Sequence, residues 1–289
     1  MTVANDKSSA VLVTGSSSGI GEACALELDR LGYRVFAGVR SEADRQKLKQ
    51  QAGRRLTPLM LDVTDREMIS DALKSIAEKL DGAPLVGLVN NAGIVIGGPL
   101  ETVSLDALRE QFEVNVIGQV AVTQAFLPML RAAKGRIVNM SSISGAVASP
   151  YLGPYCASKF ALEALSDSLR LELRNSGVSV SLVEPVSVAT PIWDKSLVKA
   201  DSMAQQASPE AIKPYEADLE AMRSLTAELA KGRLAMQKVV DAVVHAISAR
   251  RPKPRYYLTL TTRMVFRGMK MLPDWVRDGI VLRELKLPK

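Results

Sequence analysis

Three side chains in the middle of the sequence have the types and spacing of a proton-transfer site. Tyr155 and Lys159 lie four residues apart, which places both on one face if the segment is helical, and Ser142 lies 13 residues before Tyr155. A free phenol has a pKa of about 10, and a nearby ammonium group favours the phenolate and lowers that value. A serine hydroxyl can bond a carbonyl or alcohol oxygen as charge develops on it. These residues predict acid–base chemistry on a carbonyl or an alcohol, which also needs a hydride donor.

A glycine-rich turn near the start of the chain is the candidate site for that donor. The segment 10–40 reads as strand, glycine turn, amphipathic helix and strand, an arrangement that binds a pyrophosphate at a helix N-terminus. We expect Gly15 to form the tight turn, Gly19 to let the backbone approach phosphate and Gly21 to let helix pack on strand. The alternative is an ordinary turn with a helix cap. The neighbouring residues expected to contribute donors or contacts are Ser16, Ser17, Ser18 and Ile20.

The ends of the next strands carry residues that suit the rest of a dinucleotide. Arg40 follows the second strand where an NAD-selective site would have an acid, so NADP(H) is favoured and NAD(H) is the alternative. Arg40 could instead be a solvated loop residue. Asp62 and Val63 close the third strand; they could contact adenine, and Asp62 could also cap the helix from Thr64.

Small and polar residues follow the fourth strand. The sequence Asn90-Asn91-Ala92-Gly93 lets the chain pass close to a cofactor. Asn115 is a polar residue in an apolar helix pattern; it either steadies the helix or holds a water for proton relay. A fifth apolar run then brings Ser142 to the carboxyl end of its strand, where ligands of open α/β sheets bind.

Short apolar runs alternate with helical periods along the whole chain. This alternation predicts an α/β fold with a doubly wound parallel sheet and helices on both faces, in a single domain over residues 1–289. Residues 186–232 form an insertion expected to act as a substrate lid. Residues 262–289 form a basic amphipathic extension. The predicted strands are 10–14, 34–38, 57–61, 85–90, 136–140, 178–183 and 256–260.

Composition excludes several classes of protein. There is no apolar run long enough to span a bilayer and no signal peptide, so a cytoplasmic location is expected. Cys24 and Cys156 match no metal spacing and no disulfide is expected, so no metal site is predicted. His245 lies on the polar face of its helix pattern, which argues against a Ser-His-Asp hydrolase. The net charge of +6 comes with 4% aromatics and no recognition-helix pattern, so no nucleic-acid partner is expected.

Together these motifs closely resemble the short-chain dehydrogenase/reductase family, from about residue 10 to 191. The resemblance implies a Rossmann fold in which Tyr155 is the general acid or base, Ser142 orients the carbonyl, Lys159 holds the nicotinamide ribose and depresses the Tyr155 pKa, and Asn115 anchors a relay water. It also implies pairing of subunits as a homodimer or homotetramer. The motifs that carry it are Thr14-Gly15-Ser16-Ser17-Ser18-Gly19-Ile20-Gly21, Asp62-Val63, Asn90-Asn91-Ala92-Gly93, Asn115, Ser142, Tyr155 and Lys159.

The sequence departs from the family after the sixth strand. The family usually has Pro-Gly, and Val186 stands here in place of the glycine. We still expect Pro185, Val188 and Thr190 to line the nicotinamide. Phrases such as GLVNNAG are similar to those of retinol, hydroxysteroid and 3-hydroxybutyrate dehydrogenases, which implies an alcohol or carbonyl on a largely apolar substrate.

The residues expected to line the substrate site lie around Ser142 and Tyr155 and in the insertion. The C-terminal extension could lie on an anionic membrane or cover the substrate mouth, and packing on its own domain or another subunit is favoured. A catalytically silent dinucleotide-binding regulator is the alternative function. The predicted substrate contacts are Ser142, Val147, Tyr151, Tyr155, Ile192 and Trp193, with Leu197 and Met203 as further apolar contacts.

Overall fold

The computed structural model describes residues 9–232 and 234–285, with the backbone alone at residues 261, 265–267 and 270. In this part of the chain seven parallel strands form one sheet in the order β3-β2-β1-β4-β5-β6-β7. The predicted doubly wound α/β fold is confirmed. The strands are β1 Ala10–Val13, β2 Arg34–Val39, β3 Leu56–Met60, β4 Leu85–Asn90, β5 Arg136–Met140, β6 Ser179–Glu184 and β7 Arg255–Tyr257.

Helices connect the strands and cover both faces of the sheet. A π-helical turn, Glu113–Ile117, joins α4 to α5, and 3₁₀ turns occupy Ile143–Gly145, Leu173–Asn175, Lys213–Tyr215 and Met269–Met271. The helices are α1 Gly19–Arg30, α2 Glu42–Gln51, α3 Arg66–Leu80, α4 Leu105–Phe112, α5 Gly118–Ala132, α6 Gly153–Glu172, α7 Ile192–Gln206, α8 Pro209–Ile212, α9 Glu216–Ala230, α10 Met236–Ser248, α11 Leu260–Gly268 and α12 Asp274–Leu285.

The core consists of two apolar layers, one on each face of the sheet. Side chains alternate along β1, so that Val11 and Val13 join one layer while Ala10 and Leu12 join the other. The first layer packs against α1 and α10, and the second packs against α3 and α5. The strands are therefore buried on both faces, which explains their nearly continuous apolar sequences.

The strand predictions were right at β4 and β5 and differ by one residue at the ends of β1, β2, β3 and β6. The largest difference is at β7, which ends at Tyr257 although the apolar pattern predicted strand to Leu260. Thr259 accepts a hydrogen bond from the Thr262 amide at 3.0 Å, so the chain turns into α11 at Leu260. A helix-capping side chain thus ends the strand early.

The insertion and the C-terminal extension are largely helical. The insertion at 186–232 contains α7 and α9, with the short α8 between them. The extension contains α11 and α12, and residues 286–289 lie outside the described residues. Within the described residues, no helix is both long and apolar enough to cross a membrane.

The single histidine and the two cysteines, His245, Cys24 and Cys156, lie in α10, α1 and α6. His245 is exposed on α10, and its Nδ1 lies 2.8 Å from the Tyr256 hydroxyl, a contact that the sequence did not predict. Cys24 and Cys156 are buried free thiols. In the described ranges, no group of three or more histidine, cysteine or carboxylate residues is placed to hold a metal.

Candidate active site

The glycine turn after β1 is held tightly against the end of β4. Gly15 has a φ of +65°, which side chains disfavour, and a Cβ there would lie 2.7 Å from the Ala92 Cα. A Cβ on Gly21 would lie 2.3 Å from the Gly15 carbonyl oxygen. The Asn91 amide donates to the Thr14 and Gly15 carbonyl oxygens at 3.0 Å each. Positions 15 and 21, in the turn and at the start of α1, therefore have no room for a side chain, as the sequence predicted.

Gly19 and the serines occupy different places in this turn. Gly19 has a φ of +62°, and a Cβ there would lie 2.9 Å from the Thr190 methyl group. Ser16 is fully buried and donates to the Val13 carbonyl oxygen at 3.0 Å, so it points away from the cleft. Ser18 precedes α1 without a side-chain capping bond, so it leaves the first amides of the helix available to bind an anion.

A cleft of about 370 Å³ opens above these residues, at the carboxyl edge of the sheet. The predicted site residues that line it are Gly15, Ser17, Ser18, Gly19, Ile20, Arg40, Asp62, Val63, Asn91, Ala92, Gly93, Ser142, Tyr155, Lys159, Pro185, Val188, Thr190, Ile192 and Trp193. Val186 also lines the cleft, so replacement of the family's glycine leaves this wall in place. The single cleft thus joins the glycine turn to the acid–base residues.

Arg40 follows β2 and Asp62 follows β3, so both lie at the end of the cleft that is nearest to the β3 edge of the sheet. The Arg40 side chain is exposed and makes no hydrogen bond or ion pair with the residues that the structure describes. Asp62 accepts from the amide and hydroxyl of Thr64 at 2.9 and 2.8 Å. The helix that Asp62 was expected to cap begins instead at Arg66, and Asp65 caps it, because its carboxylate accepts two amides of the first turn.

The acid–base residues meet at the floor of the cleft. Tyr155 and Lys159 lie on the first turns of α6, and Lys159 Nζ is 5.7 Å from the centre of the Tyr155 ring. The Ser142 hydroxyl accepts from the Ser144 amide at 3.2 Å and is near enough to the Tyr155 phenol to lower its pKa. Lys159 Nζ donates to the Met140 carbonyl oxygen at 2.7 Å. Ser141 also lines the cleft, but its hydroxyl oxygen is buried without a hydrogen-bond partner among the described residues, and the choice of Ser142 over Ser141 stays a prediction.

Burial dominates the proton affinities of the two groups. It raises the pKa of Tyr155 to about 12, against the opposing effect of the Ser142 hydrogen bond. It lowers the pKa of Lys159 to about 8, while the negative charge of Glu163 opposes that change. Burial and the Ser142 hydroxyl set the pKa of Tyr155 in this structure, where the Lys159 ammonium group is directed at the Met140 carbonyl, and the lowering of the Tyr155 pKa by Lys159 stays a prediction.

Asn115 lies behind the cleft, in the π-helical turn. Its side-chain oxygen accepts from the Ile94 amide at 2.8 Å, and its amide donates to the Ile94 carbonyl at 3.0 Å and to the Ser158 hydroxyl at 3.1 Å. Both ends of the side chain are therefore engaged with protein groups. This arrangement fits the role of steadying the helix, and a role in water relay stays a prediction.

Four predicted substrate residues lie away from this cleft: Tyr151, Val147, Leu197 and Met203. Tyr151 lines a separate cavity of about 60 Å³, together with Leu197 and Met203, and its hydroxyl is bonded to Asp218 of α9. Val147 lines neither cavity. Gly21 packs beneath the turn and is likewise absent from the cleft wall.

Several residues of the cleft were missed from the sequence. They come from α4, the insertion and α12, whose positions over the sheet no local pattern specifies. The main ones are Glu110, Lys195, Lys199, Met222, Leu225, Leu229 and Leu285. Glu163 is a missed neighbour of Lys159, and its position four residues further along the helix is a signal that could have found it.

Comparison with known proteins identifies the family. The family model for short chain dehydrogenases matches residues 9–201. The chain belongs to the short-chain dehydrogenase family. It is therefore an oxidoreductase of alcohol and carbonyl groups, on a fold that binds a nicotinamide dinucleotide.

Relatives of this short-chain dehydrogenase extend over nearly its whole length. Retinol dehydrogenase 5 of Mus musculus is 34% identical over 286 residues, covering 96% of this chain and 89% of that one. The NADPH-dependent 3-dehydrocapnine reductase of Ornithobacterium rhinotracheale is 34% identical and covers 95% and 96%. A short chain dehydrogenase/reductase from Burkholderia phymatum, solved in complex with NAD, has the same fold with a TM-score of 0.79 at 24% identity, covering 97% and 95%.

The C-terminal extension of this dehydrogenase reaches the cleft. Helix α12 contacts α9, and Leu285 at its end lines the cleft wall. Met271 and Trp275 are 85% and 78% exposed. The extension thus packs partly on its own insertion, the arrangement that was favoured from sequence, while part of its apolar surface faces outward.

Proposed function

We propose that the chain is an NADP(H)-dependent oxidoreductase that interconverts an alcohol and a ketone or aldehyde on a largely apolar substrate. The observation that carries this proposal is that Tyr155, Ser142 and Lys159 line the same cleft as the glycine turn. A protein that only bound a dinucleotide would need the turn alone. The buried phenol therefore favours the enzyme over the silent regulator.

The cleft fits a nicotinamide dinucleotide on structural grounds. Gly15, Gly19 and Gly21 form a cradle that a Cβ would fill, at the N-terminus of a helix of 12 residues. Such a terminus binds phosphate through its free amides and the helix dipole. Arg40 would meet a 2′-phosphate, and Asp62 with Val63 would contact adenine. When bound, the nicotinamide supplies or accepts the hydride.

Tyr155 and Ser142 divide the proton chemistry between them. In reduction, the Tyr155 hydroxyl donates its proton to the substrate oxygen, and in oxidation the phenolate accepts it. Ser142 holds the substrate oxygen near the phenol as negative charge develops. Lys159 stabilises the phenolate by its charge, and its Nζ would also bond a ribose hydroxyl. The high pKa of Tyr155, about 12, suits it to hold the proton until a substrate oxygen becomes more basic.

The walls around Tyr155 support a substrate that is mostly apolar. They come from the loop after β4, from the insertion and from α12. The apolar residues of the cleft beyond the acid–base site are Ile94, Val95, Leu152, Ile192, Trp193, Met222, Leu225, Leu229 and Leu285. Apolar walls with a few polar groups at one end are typical of sites that bind small molecules. A retinoid, a steroid or a hydroxyacyl chain matches this description.

The direct test is a screen of alcohols and carbonyl compounds with both cofactors, followed through absorbance of the reduced nicotinamide. Retinoid, steroid, hydroxy-acid and aliphatic substrates cover the chemistry of the walls. Turnover of at least one class with NADP(H) is the expected result. Dinucleotide binding without turnover of any class would instead support the regulator.

Cofactor preference depends on Arg40, which gives the first prediction. Replacing Arg40 with alanine is expected to weaken NADPH binding by about tenfold or more, because a charged hydrogen bond to phosphate contributes about 1.5–3 kcal/mol. NADH binding is expected to change little, since it lacks that phosphate. Isothermal titration with each cofactor measures the ratio.

Arg45 provides the matched control for this change. It lies on α2 and forms a surface ion pair with Glu42 at 3.0 Å, outside the cleft. Arg45→Ala should leave the preference between NADPH and NADH as it is. Equal weakening of both cofactors by Arg40→Ala would mean that Arg40 does not read the 2′-phosphate.

The insertion gives the second prediction, because few of its side chains are buried. Ser196 is the buried residue of α7 and Met222 that of α9, so opening of these helices exposes little apolar surface. Contacts with the body come from Lys199 to Glu110, from Tyr151 to Asp218 and from Tyr215 to Glu101. We expect limited proteolysis within 194–207 to slow at least several-fold when cofactor and substrate are saturating. Cleavage at an unchanged rate would count against a closing lid.

Assembly and location stay predictions. Large apolar side chains are exposed on and beside α5 and α6, which supports pairing of subunits as a homodimer or homotetramer through these helices. They are Ile117, Phe160, Leu165 and Leu171. A cytoplasmic location is also a proposal, and contact of α12 with an anionic membrane is the less favoured role of the extension. Light scattering in solution measures the subunit count, and sedimentation with anionic vesicles tests the membrane contact.

A further inference from the structure

A buried cluster of charged side chains lies directly below Lys159. Glu163 follows Lys159 by one turn of α6, and the two side chains are 7% and 5% exposed. Gly145 packs closely against both residues, since a Cβ there would lie 3.0 Å from the Glu163 Cγ and 3.3 Å from the Lys159 carbonyl oxygen. The α6 helix therefore carries a phenol, an ammonium group and a carboxylate in succession along one buried face.

Arg255 of β7 forms hydrogen bonds with only one of the two oxygens of the Glu163 carboxylate. Its Nε and Nη2 donate to Glu163 Oε2 at 3.1 and 2.9 Å. Glu163 Oε1 is buried and has no hydrogen-bond partner among the residues that the structure describes. A buried carboxylate oxygen without a donor is costly, so it attracts any cation within reach. Lys159 Nζ has three donor protons, and Met140 takes one of them.

The charge balance of the cluster leaves negative charge facing Lys159. Arg255 is shared among Glu163, Asp167 and Glu184, at 2.9, 2.7 and 3.3 Å. One guanidinium therefore meets three carboxylates. Asp167 is 39% exposed and solvent can screen it, whereas Glu163 is buried beside Lys159. An unscreened neighbouring charge has the larger electrostatic effect.

We infer that Glu163, held by Arg255, is the counter-charge that keeps Lys159 in its ammonium form while Tyr155 transfers protons. Glu163 is thus a positioning residue that acts through Lys159 without contacting substrate. The inference rests on the proposed function, because Lys159 serves Tyr155 there. The charge of Glu163 opposes the effect of burial on the pKa of Lys159, which is lowered to about 8.

The other ionisable groups around this cluster lie on α6, β6 and β7, or are exposed on the elements that pack against α6. Tyr155 and Asp167 share α6 with Lys159, Glu184 comes from β6 and Arg255 from β7. The 3₁₀ turn Ile143–Gly145 has no ionisable residue. The ionisable residues of α4 and of the π-helical turn, which also pack on α6, are exposed: Asp106, Arg109, Glu110 and Glu113.

The test replaces Glu163 with glutamine, which keeps the shape and removes the charge. The pKa of Lys159 should then fall further below about 8, by about one unit. Carbonyl reduction needs the ammonium form, so the alkaline limb of kcat/KM should move about one pH unit lower. Asp167→Asn, which removes the exposed carboxylate from the same arginine, is the matched control and should leave the limb in place. Glu163→Asp keeps the negative charge, so its alkaline limb should lie close to that of the wild type.

Two further measurements keep the inference testable if Glu163→Gln folds poorly or if no substrate is found. Arg255→Met removes the competing cation, so the alkaline limb should move to higher pH, a direction that simple structural damage would not produce. The ¹³Cε chemical shift of Lys159, assigned by its loss in Lys159→Ala, reports the titration without turnover. An unchanged Lys159 titration in Glu163→Gln overturns the inference. Absence of turnover in the wild type, with the titration shifted as expected, overturns the proposed function and leaves only the charge coupling of Glu163 with Lys159 supported.

Discussion

Replacing Tyr155 with phenylalanine is expected to lower kcat by about 10²–10⁴-fold, because the change removes the proton donor and keeps the ring. This loss corresponds to about 3–5 kcal/mol of transition-state stabilisation. Tyr155 lines the cleft together with Ser142, and the described residues bring no other phenol into the cleft wall. Steady-state kinetics with the substrate found by the screen measures the effect.

Two comparisons make this prediction specific. Dinucleotide affinity should stay within a few-fold of the wild type, since the glycine turn and Lys159 are untouched. Tyr33→Phe removes a phenol hydroxyl from the apolar core outside the cleft, and its kcat should remain near that of the wild type. Full activity of Tyr155→Phe would remove Tyr155 from the chemistry and return the silent-binding function to consideration.

Replacing Gly21 with alanine is expected to weaken dinucleotide binding by about 100-fold, because a displacement of the turn by about 1 Å misplaces the phosphate-binding amides. The added Cβ would lie 2.3 Å from the Gly15 carbonyl oxygen and 2.4 Å from the Asn91 amide nitrogen. The contact with Gly15 is to backbone, so the turn itself must move. We also expect the free energy of unfolding to fall by about 1–3 kcal/mol, as in other overpacked sites.

Gly279 offers a control for the loss of glycine as such. It lies in α12, and an added Cβ meets no atom within 4 Å. Gly279→Ala should leave cofactor affinity unchanged and stabilise the helix by up to about 1 kcal/mol. Denaturant unfolding and cofactor titration of both variants make the comparison. Wild-type affinity in Gly21→Ala would show that the turn tolerates a side chain and that the close packing is not needed for binding.

The sequence determined the fold, the glycine turn and the neighbouring positions of Tyr155 and Lys159 on one helix. Buried strands such as β4 and β5 have apolar runs whose limits are visible without a structure, because both faces of the sheet are covered. The glycine turn could be predicted for a similar reason, since a positive φ and a missing Cβ are properties of the residue itself. Tyr155 and Lys159 follow from the period of one helix.

The tertiary structure decided what surrounds those residues and therefore how they behave. Arg255 lies 92 residues from Glu163 in the sequence and reaches it only because β7 pairs with β6. Leu285 lines the cleft because α12 packs near α9. Tyr151 lies outside the cleft, where its hydroxyl is bonded to Asp218. No local period encodes such contacts.

The pKa values of Tyr155 and Lys159 show the same division between what the sequence determines and what the tertiary structure decides. The sequence places an ammonium group near a phenol, which by itself would make the phenol more acidic. In the folded chain both groups are buried, and loss of hydration raises the pKa of Tyr155 to about 12 while it lowers that of Lys159 to about 8. Spacing along a helix fixes which groups are neighbours, whereas the free energy of a charge depends on how much water and which distant charges the packed elements leave around it.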